Sequence, residues 1–195
     1  IILAKYQLDT TLQLSPDDFA ETPKDEKYFK NVHNIVILSN RTALDAMQKK
    51  SQELGYQTTI YADNIQGDAK VTGEKLLEYA KPEMITLFGG ETTVKVTGSG
   101  KGGRNQELIL GVLPHLDEKT TIASFDSDGW DFYELCGGIA DKTTLTKAQE
   151  LQLDWQQYLT EDDSYTFLTK VGDGIVTGKL ESNVSDLMIV LKKSV

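Results

Sequence analysis

Cysteine is almost absent. Cys136 stands alone among 195 residues, which excludes a disulfide within the chain and leaves no cysteine-ligated zinc site to build. Histidine is nearly as scarce. His33 and His115 have no ligand-type neighbour in sequence, and both read as structural or exposed. No apolar run approaches the roughly 20 residues needed to cross a bilayer, so a membrane partner is not expected. Basic residues are outnumbered, 20 against 30 acidic, and the net charge is −10. That balance repels a nucleic-acid backbone, and no Lys/Arg stripe with interleaved aromatics offsets it. The opening Ile1-Ile2-Leu3-Ala4-Lys5 lacks the basic lead-in and apolar length of a secretion signal, so cytoplasm is the expected compartment. Two leading isoleucines without a methionine suggest a fragment or a processed product.

What remains is an ordinary globular composition, 39% hydrophobic and 26% charged. Residues 1–30 are polar and irregular, with Pro16, Pro23 and Lys24-Asp25-Glu26-Lys27, and read as a short helix and connecting arm. Ile35–Leu38 is a short apolar run of the kind found in strands covered on both faces. Ser39 and Asn40 are placed to cap a helix carrying Ala43, Leu44, Met47 and Leu54 at helical spacing, with Gly55 as its stop. A strand over Gln57–Tyr61, a helix over Lys70–Ala80 and a strand over Met84–Phe88 complete a β-α-β-α-β run. The alternation predicts an α/β fold with a mostly parallel sheet flanked by helices. Thr92–Thr97 is β-branched and alternating, and a helix bearing Leu108, Ile109, Val112 and Leu113 follows the glycines. Thr121–Phe125 reads as a strand, Thr144–Val171 as two or three short helices, and Ile175–Thr177 and Leu187–Leu191 as closing strands. These last strands bring antiparallel or mixed pairing into the C-terminal part.

The chemistry concentrates between Gly89 and Glu107. In Gly98–Gly103 the glycines let backbone N–H groups approach a ligand, and a helix start adds unpaired donors. Lys101 and Arg104 add charge where an anion would sit. The bland alternative is a flexible turn with solvated basic residues. Walker A spacing fails, because Lys95 stands where its first glycine belongs and Lys101 is followed by Gly102. The dinucleotide spacing G-x-G-x-x-G does fit Gly98, Gly100 and Gly103, with Asp126 beyond the next strand as a ribose-binding acid. The very polar Arg104-Asn105-Gln106-Glu107 turn argues against it. Asp126, Asp128 and Asp131 share one loop after a strand and could hold Mg²⁺, supply a general base, or simply be solvated. Trp130 beside them reads as packing. Glu91 could pair with Lys101 or Arg104, and Cys136 reads as a small core residue.

Phe88-Gly89-Gly90-Glu91-Thr92-Thr93-Val94 running into Gly100-Lys101-Gly102-Gly103-Arg104-Asn105-Gln106-Glu107-Leu108 closely resembles the signature of the MOFRL domain. That domain is the C-terminal part of class II glycerate 2-kinases, some of which are labelled hydroxypyruvate reductase. Ile37–Leu44, Asp162–Phe167, Gly172–Gly178 and Asn183–Leu187 are similar in the same order. The resemblance implies transfer of the ATP γ-phosphoryl to glycerate or a related hydroxy acid, with Mg²⁺, in a cleft completed by an N-terminal kinase domain not contained here. It implies Arg104 as catalytic arginine, with Asp128 matching a family acid. It places Glu91, Lys101, Gly102, Gly103, Asn105, Ser39, Asn40, Asn183 and Asp186 around substrate and phosphate. The expected organisation is an arm over 1–30, a β-α-β segment over 31–90 and a MOFRL-like part over 91–195, with 31–195 as one α/β unit. Two loops depart from the family pattern, at Asp131-Phe132-Tyr133-Glu134 and at Gly178-Lys179-Leu180-Glu181-Ser182-Asn183. Three readings therefore stand: half of a glycerate-kinase-type enzyme, an NAD(P)-dependent hydroxypyruvate-type reductase, and a degenerate domain that binds a metabolite without turnover. A half-enzyme exposing its cleft face is also expected to favour a homodimer.

Overall fold

The computed structural model describes residues 5–7 and 11–193. Contacts divide the chain into two units, Ile1–Ile37 and Leu38–Val195. The first holds two short 3-10 turns, Pro16–Asp18 and Glu26–Tyr28, the second capped by the Asp25 carboxylate accepting from Lys27 N–H. The strand expected at Ile35–Leu38 does not form. Ile35, Val36 and Ile37 are 80–91% exposed and belong to no strand. An apolar run becomes a buried strand only where a neighbour supplies ladder hydrogen bonds, and none among the described residues does.

The second unit is an α/β structure built on one mixed sheet. Its strands are β1 (Gln57–Ile65), β2 (Met84–Gly90), β3 (Thr120–Asp126), β4 (Gly137–Ala140), β5 (Gly174–Ile175) and β6 (Asp186–Lys192), in the order β1-β2-β6-β3-β4-β5. Parallel pairing is confined to β1 with β2, and the remaining pairs are antiparallel. The parallel part is thus smaller than the alternation suggested. The reason is β6, which returns from the end of the chain and inserts between β2 and β3.

Six helices pack on this sheet: α1 (Asn40–Glu53), α2 (Ala69–Tyr79), α3 (Arg104–Val112), α4 (Lys142–Glu150), α5 (Trp155–Thr160) and α6 (Ser164–Val171). Local signals set most of their ends. Asp68, Asp141 and Asp154 cap α2, α4 and α5 through their carboxylates. Gly55 closes α1 at φ +89°, with Gly55 N–H on the Gln52 carbonyl and Tyr56 N–H on the Ser51 carbonyl. The period-2 side-chain alternation of β2 and β6 divides the core. Ile85, Leu87, Leu187 and Ile189 face α1 with Leu44, whereas Phe88, Met188 and Val190 join the larger cluster around α3. α3 lies in that cluster with every residue from Asn105 to Val112 buried. Two expectations change here. Thr92–Thr97 is not a strand and makes only a single bridge, Asp68 with Thr93. Conversely, β4 had no signal, because Gly137-Gly138-Ile139-Ala140 is too short and too glycine-rich to show alternation.

Candidate active site

Strand register assembles the site. Gly90 of β2 pairs with Asp186 of β6, and Asp186 pairs in turn with Asp126 of β3. These pairings put two carboxylates side by side at one end of the sheet, with Glu91 just past β2. This is the end where β1, β2 and β3 terminate, the usual ligand side of open α/β sheets. Arg104, the first residue of α3, reaches into the row. Its Nε and Nη2 donate to the two Asp186 oxygens at 2.8 Å each, and Nη2 also donates to Asp126 at 2.7 Å. Glu91 lies 3.6 Å from Nη2 but is 61% exposed. Nη1 donates to none of the described residues and is the edge of the guanidinium left for a ligand. Burial opposes the charge on Arg104, yet its bonds to Asp186 and the charges of Asp186, Asp126 and Asp131 raise its pKa above the ordinary value. Burial likewise pushes the Asp186 and Asp126 carboxyls up, while Arg104 pulls both back.

Asn105 and Asp131 form the layer beneath. The fully buried Asn105 amide donates to Asp186 at 2.8 Å and to Asp131 at 3.2 Å, and accepts from the Ser124 hydroxyl. The Asp131 carboxylate accepts from the backbone N–H of Asn105 and of Gln106, each at 3.0 Å. The helix start expected to receive a phosphate is therefore occupied by the chain's own carboxylate. Burial raises the Asp131 pKa to about 7 against the pull of those N–H bonds. The glycine loop is also largely spoken for. Thr97 and Gly98 N–H donate to Asp162, Gly100 N–H to the Glu161 carbonyl, and Lys101 N–H to Asp163. Glycine is required by close approach: a Cβ on Gly98 would fall 2.2 Å from the Glu161 carbonyl oxygen, and one on Gly103 would fall 2.0 Å from that of Asp131. The loop is thus a tightly packed strap, and neither a flexible turn nor an open phosphate cradle. Arg104 and Lys101 are the cationic side chains at its end. Lys101 Nζ stands over the Tyr133 ring at 5.4 Å from the centroid.

Comparison with known proteins places this arrangement. The profile of the MOFRL family matches residues 84–186, more than half of the chain, from the start of β2 to the first residue of β6. The chain belongs to the MOFRL family. It is 36% identical to a glycerate 2-kinase of Pyrococcus horikoshii over 89% of this chain and 42% of that protein. It is 32% identical to a D-glycerate 2-kinase of Thermotoga maritima over 97% of this chain and 48% of that protein. The crystal structure of the T. maritima glycerate kinase superposes with a TM-score of 0.81, covering 98% of this chain and 49% of that one. A P. horikoshii protein of known structure gives 0.76 over 98% and 46%. The chain spans somewhat under half the length of the curated relatives it matches.

Within this MOFRL chain the remaining expected residues fall in two groups. Asp128 accepts from Trp130 N–H and from the Asn183 amide, so Asn183 braces the 126–131 loop against the segment entering β6. Ser39 is the N-cap of α1 without a side-chain bond to the helix backbone, and Asn40 donates to the Asp63 carbonyl at 2.6 Å while lying over Gly89. The three aspartates read as a joint Mg²⁺ site are not brought together. Asp126 pairs with Arg104, Asp128 with Trp130 and Asn183, and Asp131 with the α3 backbone. Among the described residues no group of three His, Cys, Asp or Glu is arranged to hold a metal. The dinucleotide spacing does not build its fold either. No strand leads directly into Gly98, β6 separates β2 from β3, and Asp126 is paired with Arg104.

Several contributors were not singled out from sequence: Ser124, Gln106, Glu107, Lys70 and Asp162. Lys70 Nζ reaches Asp162 at 2.7 Å and Glu107 at 3.3 Å, joining α2 and α3 to the turn before α6. Glu107 is 1% exposed, and burial, only partly offset by Lys70, lifts its pKa to about 7. For Gln106 and Glu107 the signal was the polarity of a turn whose helix is otherwise buried, since buried polar groups must find partners, and Asp162 entered only within the Asp162–Phe167 resemblance.

Proposed function

We propose that this chain is the MOFRL domain of a glycerate-kinase-like enzyme. In this reading it transfers the γ-phosphoryl of ATP to glycerate or a related small hydroxy acid, in a site completed by a second domain. The observation that carries the reading is Arg104, fixed bidentately by Asp186 and once more by Asp126, with Nη1 bonded to none of the described residues. Phosphoryl transfer asks a protein mainly for positioning and electrostatic stabilisation. A guanidinium locked before substrate arrives supplies both without reorganising. Its own charge is more than offset by Asp126, Asp186 and Glu91. An anion is therefore held here only with a further cation, which the second domain or the metal accompanying the nucleotide would bring. The kinases similar to this chain in sequence and structure support the same reading.

The test is thermal stability with Mg-ATP, glycerate, NADH and NADPH, on the parent chain and on Arg104→Lys. Lysine keeps the charge but loses the two-pronged grip. It also avoids the roughly 3–5 kcal/mol lost when a buried pair is left with one partner, as Arg104→Ala would do. At a hundred times its dissociation constant Mg-ATP should stabilise the parent by roughly 2.7 kcal/mol, and Arg104→Lys should lose most of that shift. Stabilisation by NADH or NADPH alone, or an unaltered ATP shift in Arg104→Lys, would overturn the assignment.

A further inference from the structure

Beside Arg104 the molecule carries a cavity of about 570 Å³, walled by the glycine loop and by Trp130, Phe132 and Tyr133. Ligand sites commonly run from 300 to 1,000 Å³, so this volume far exceeds what a three-carbon acid fills. The walls are chiefly apolar and aromatic, with Val94 and Val96 closing one side. The titratable groups lining the cavity away from Arg104, the Tyr133 phenol aside, are carboxyls: Glu107, Asp131 and Asp162. Glu107 is 1% exposed, with Lys70 Nζ 3.3 Å from its Oε1 on the side towards α2. Arg104 and Glu107 are three residues apart on α3, hence on one face and roughly 4.5 Å apart along the axis. The cavity therefore joins the Arg104 guanidinium to the Glu107 carboxyl across aromatic walls. Phe132 and Tyr133 hold φ of +61° and +63°, a conformation that costs bulky side chains energy and that clusters at ligand sites.

We infer that this cavity receives the purine base of the nucleotide, with the exocyclic amine directed at Glu107, the ring against Trp130 and Tyr133, and the phosphates leading out past Arg104 and Lys101. The inference rests on the kinase reading, because it presupposes a nucleotide. The second departure from the family pattern supports it, since Lys179 Nζ sits 4.5 Å from the Trp130 ring centroid and steadies that wall.

Titration calorimetry of the full chain with ADP, adenosine and inorganic tripolyphosphate, each in the presence of Mg²⁺, separates the parts. Trp130→Ala and Tyr133→Ala should each weaken ADP and adenosine about tenfold to a hundredfold, the effect of losing a base–aromatic stack, and leave tripolyphosphate unchanged. Arg104→Lys should do the reverse, and unchanged melting temperatures would show that each variant folds. Glu107→Gln, which replaces one carboxyl oxygen by an amide donor, should weaken adenosine without moving tripolyphosphate. ADP binding that depends on Arg104 but ignores Trp130 and Tyr133 would overturn the base site and leave the kinase reading standing. No binding of ADP, adenosine or tripolyphosphate would overturn both.

Discussion

At the residue scale, two buried acids carry the clearest physical consequence. Asp131 and Glu107 have ordinary values of 3.8 and 4.5, and burial lifts both to about 7. The folded chain therefore holds these protons to higher pH than the unfolded chain does. The stability they contribute is complete below their unfolded values, near pH 4, and drains away as pH rises through about 7. Denaturation followed from pH 5 to 8 should show the parent losing stability over that window. Glu107→Gln should fall less steeply, because its amide does not titrate. Parallel curves for the two proteins would mean that Glu107 is ionised throughout. Neither acid stood out in sequence for this role. Asp131 was grouped with its neighbours Asp126 and Asp128, and only the placement of α3 made it a helix cap instead of a metal ligand.

At the element scale, the strap from Thr97 to Gly103 is held by its partners more than by its own conformation. Asp162 accepts two of its backbone N–H groups at 2.6 Å each and is tied to α2 through Lys70. Asp162→Ala should free both amides and cost about 1–3 kcal/mol. Hydrogen exchange is the direct reading, and it should accelerate at Thr97 and Gly98 while α3, deep in the core, stays protected. Unchanged exchange at those two amides would show that glycine packing alone holds the strap. The start of α1 at Ser39 and its stop at Gly55 were legible because such signals act within one turn, whereas the aspartate caps of α2, α4 and α5 were not read. The strand expected over Thr92–Thr97 was mistaken, because β-branched alternation is also what a strap needs when one side lines a cavity and the other meets solvent.

For the whole molecule, the Leu38–Val195 unit carries both apolar clusters, whereas the first unit has no buried residue among those described. Limited proteolysis should accordingly cut between residues 11 and 37 and leave a resistant product beginning near Leu38. Rapid cleavage inside β1 to β6 at the same protease concentration would contradict that division. No helix among the described residues is long and apolar enough to cross a membrane.

Sequence by itself determined what acts over short distances: the start and stop of α1, the closing strand at Leu187–Leu191, and the family signature between Phe88 and Leu108. It also supplied Arg104 and its charge. Only the tertiary structure decided which of thirty acidic residues Arg104 meets. Asp126 and Asp186 lie 22 and 82 positions away, and they converge because β6 inserts between β2 and β3 in one register. The fate of the glycine loop was settled in the same way, by Glu161, Asp162 and Asp163 arriving from more than sixty residues downstream. Caps and periodicity are read from near neighbours, whereas the pairing of buried charges depends on packing that brings distant segments into contact.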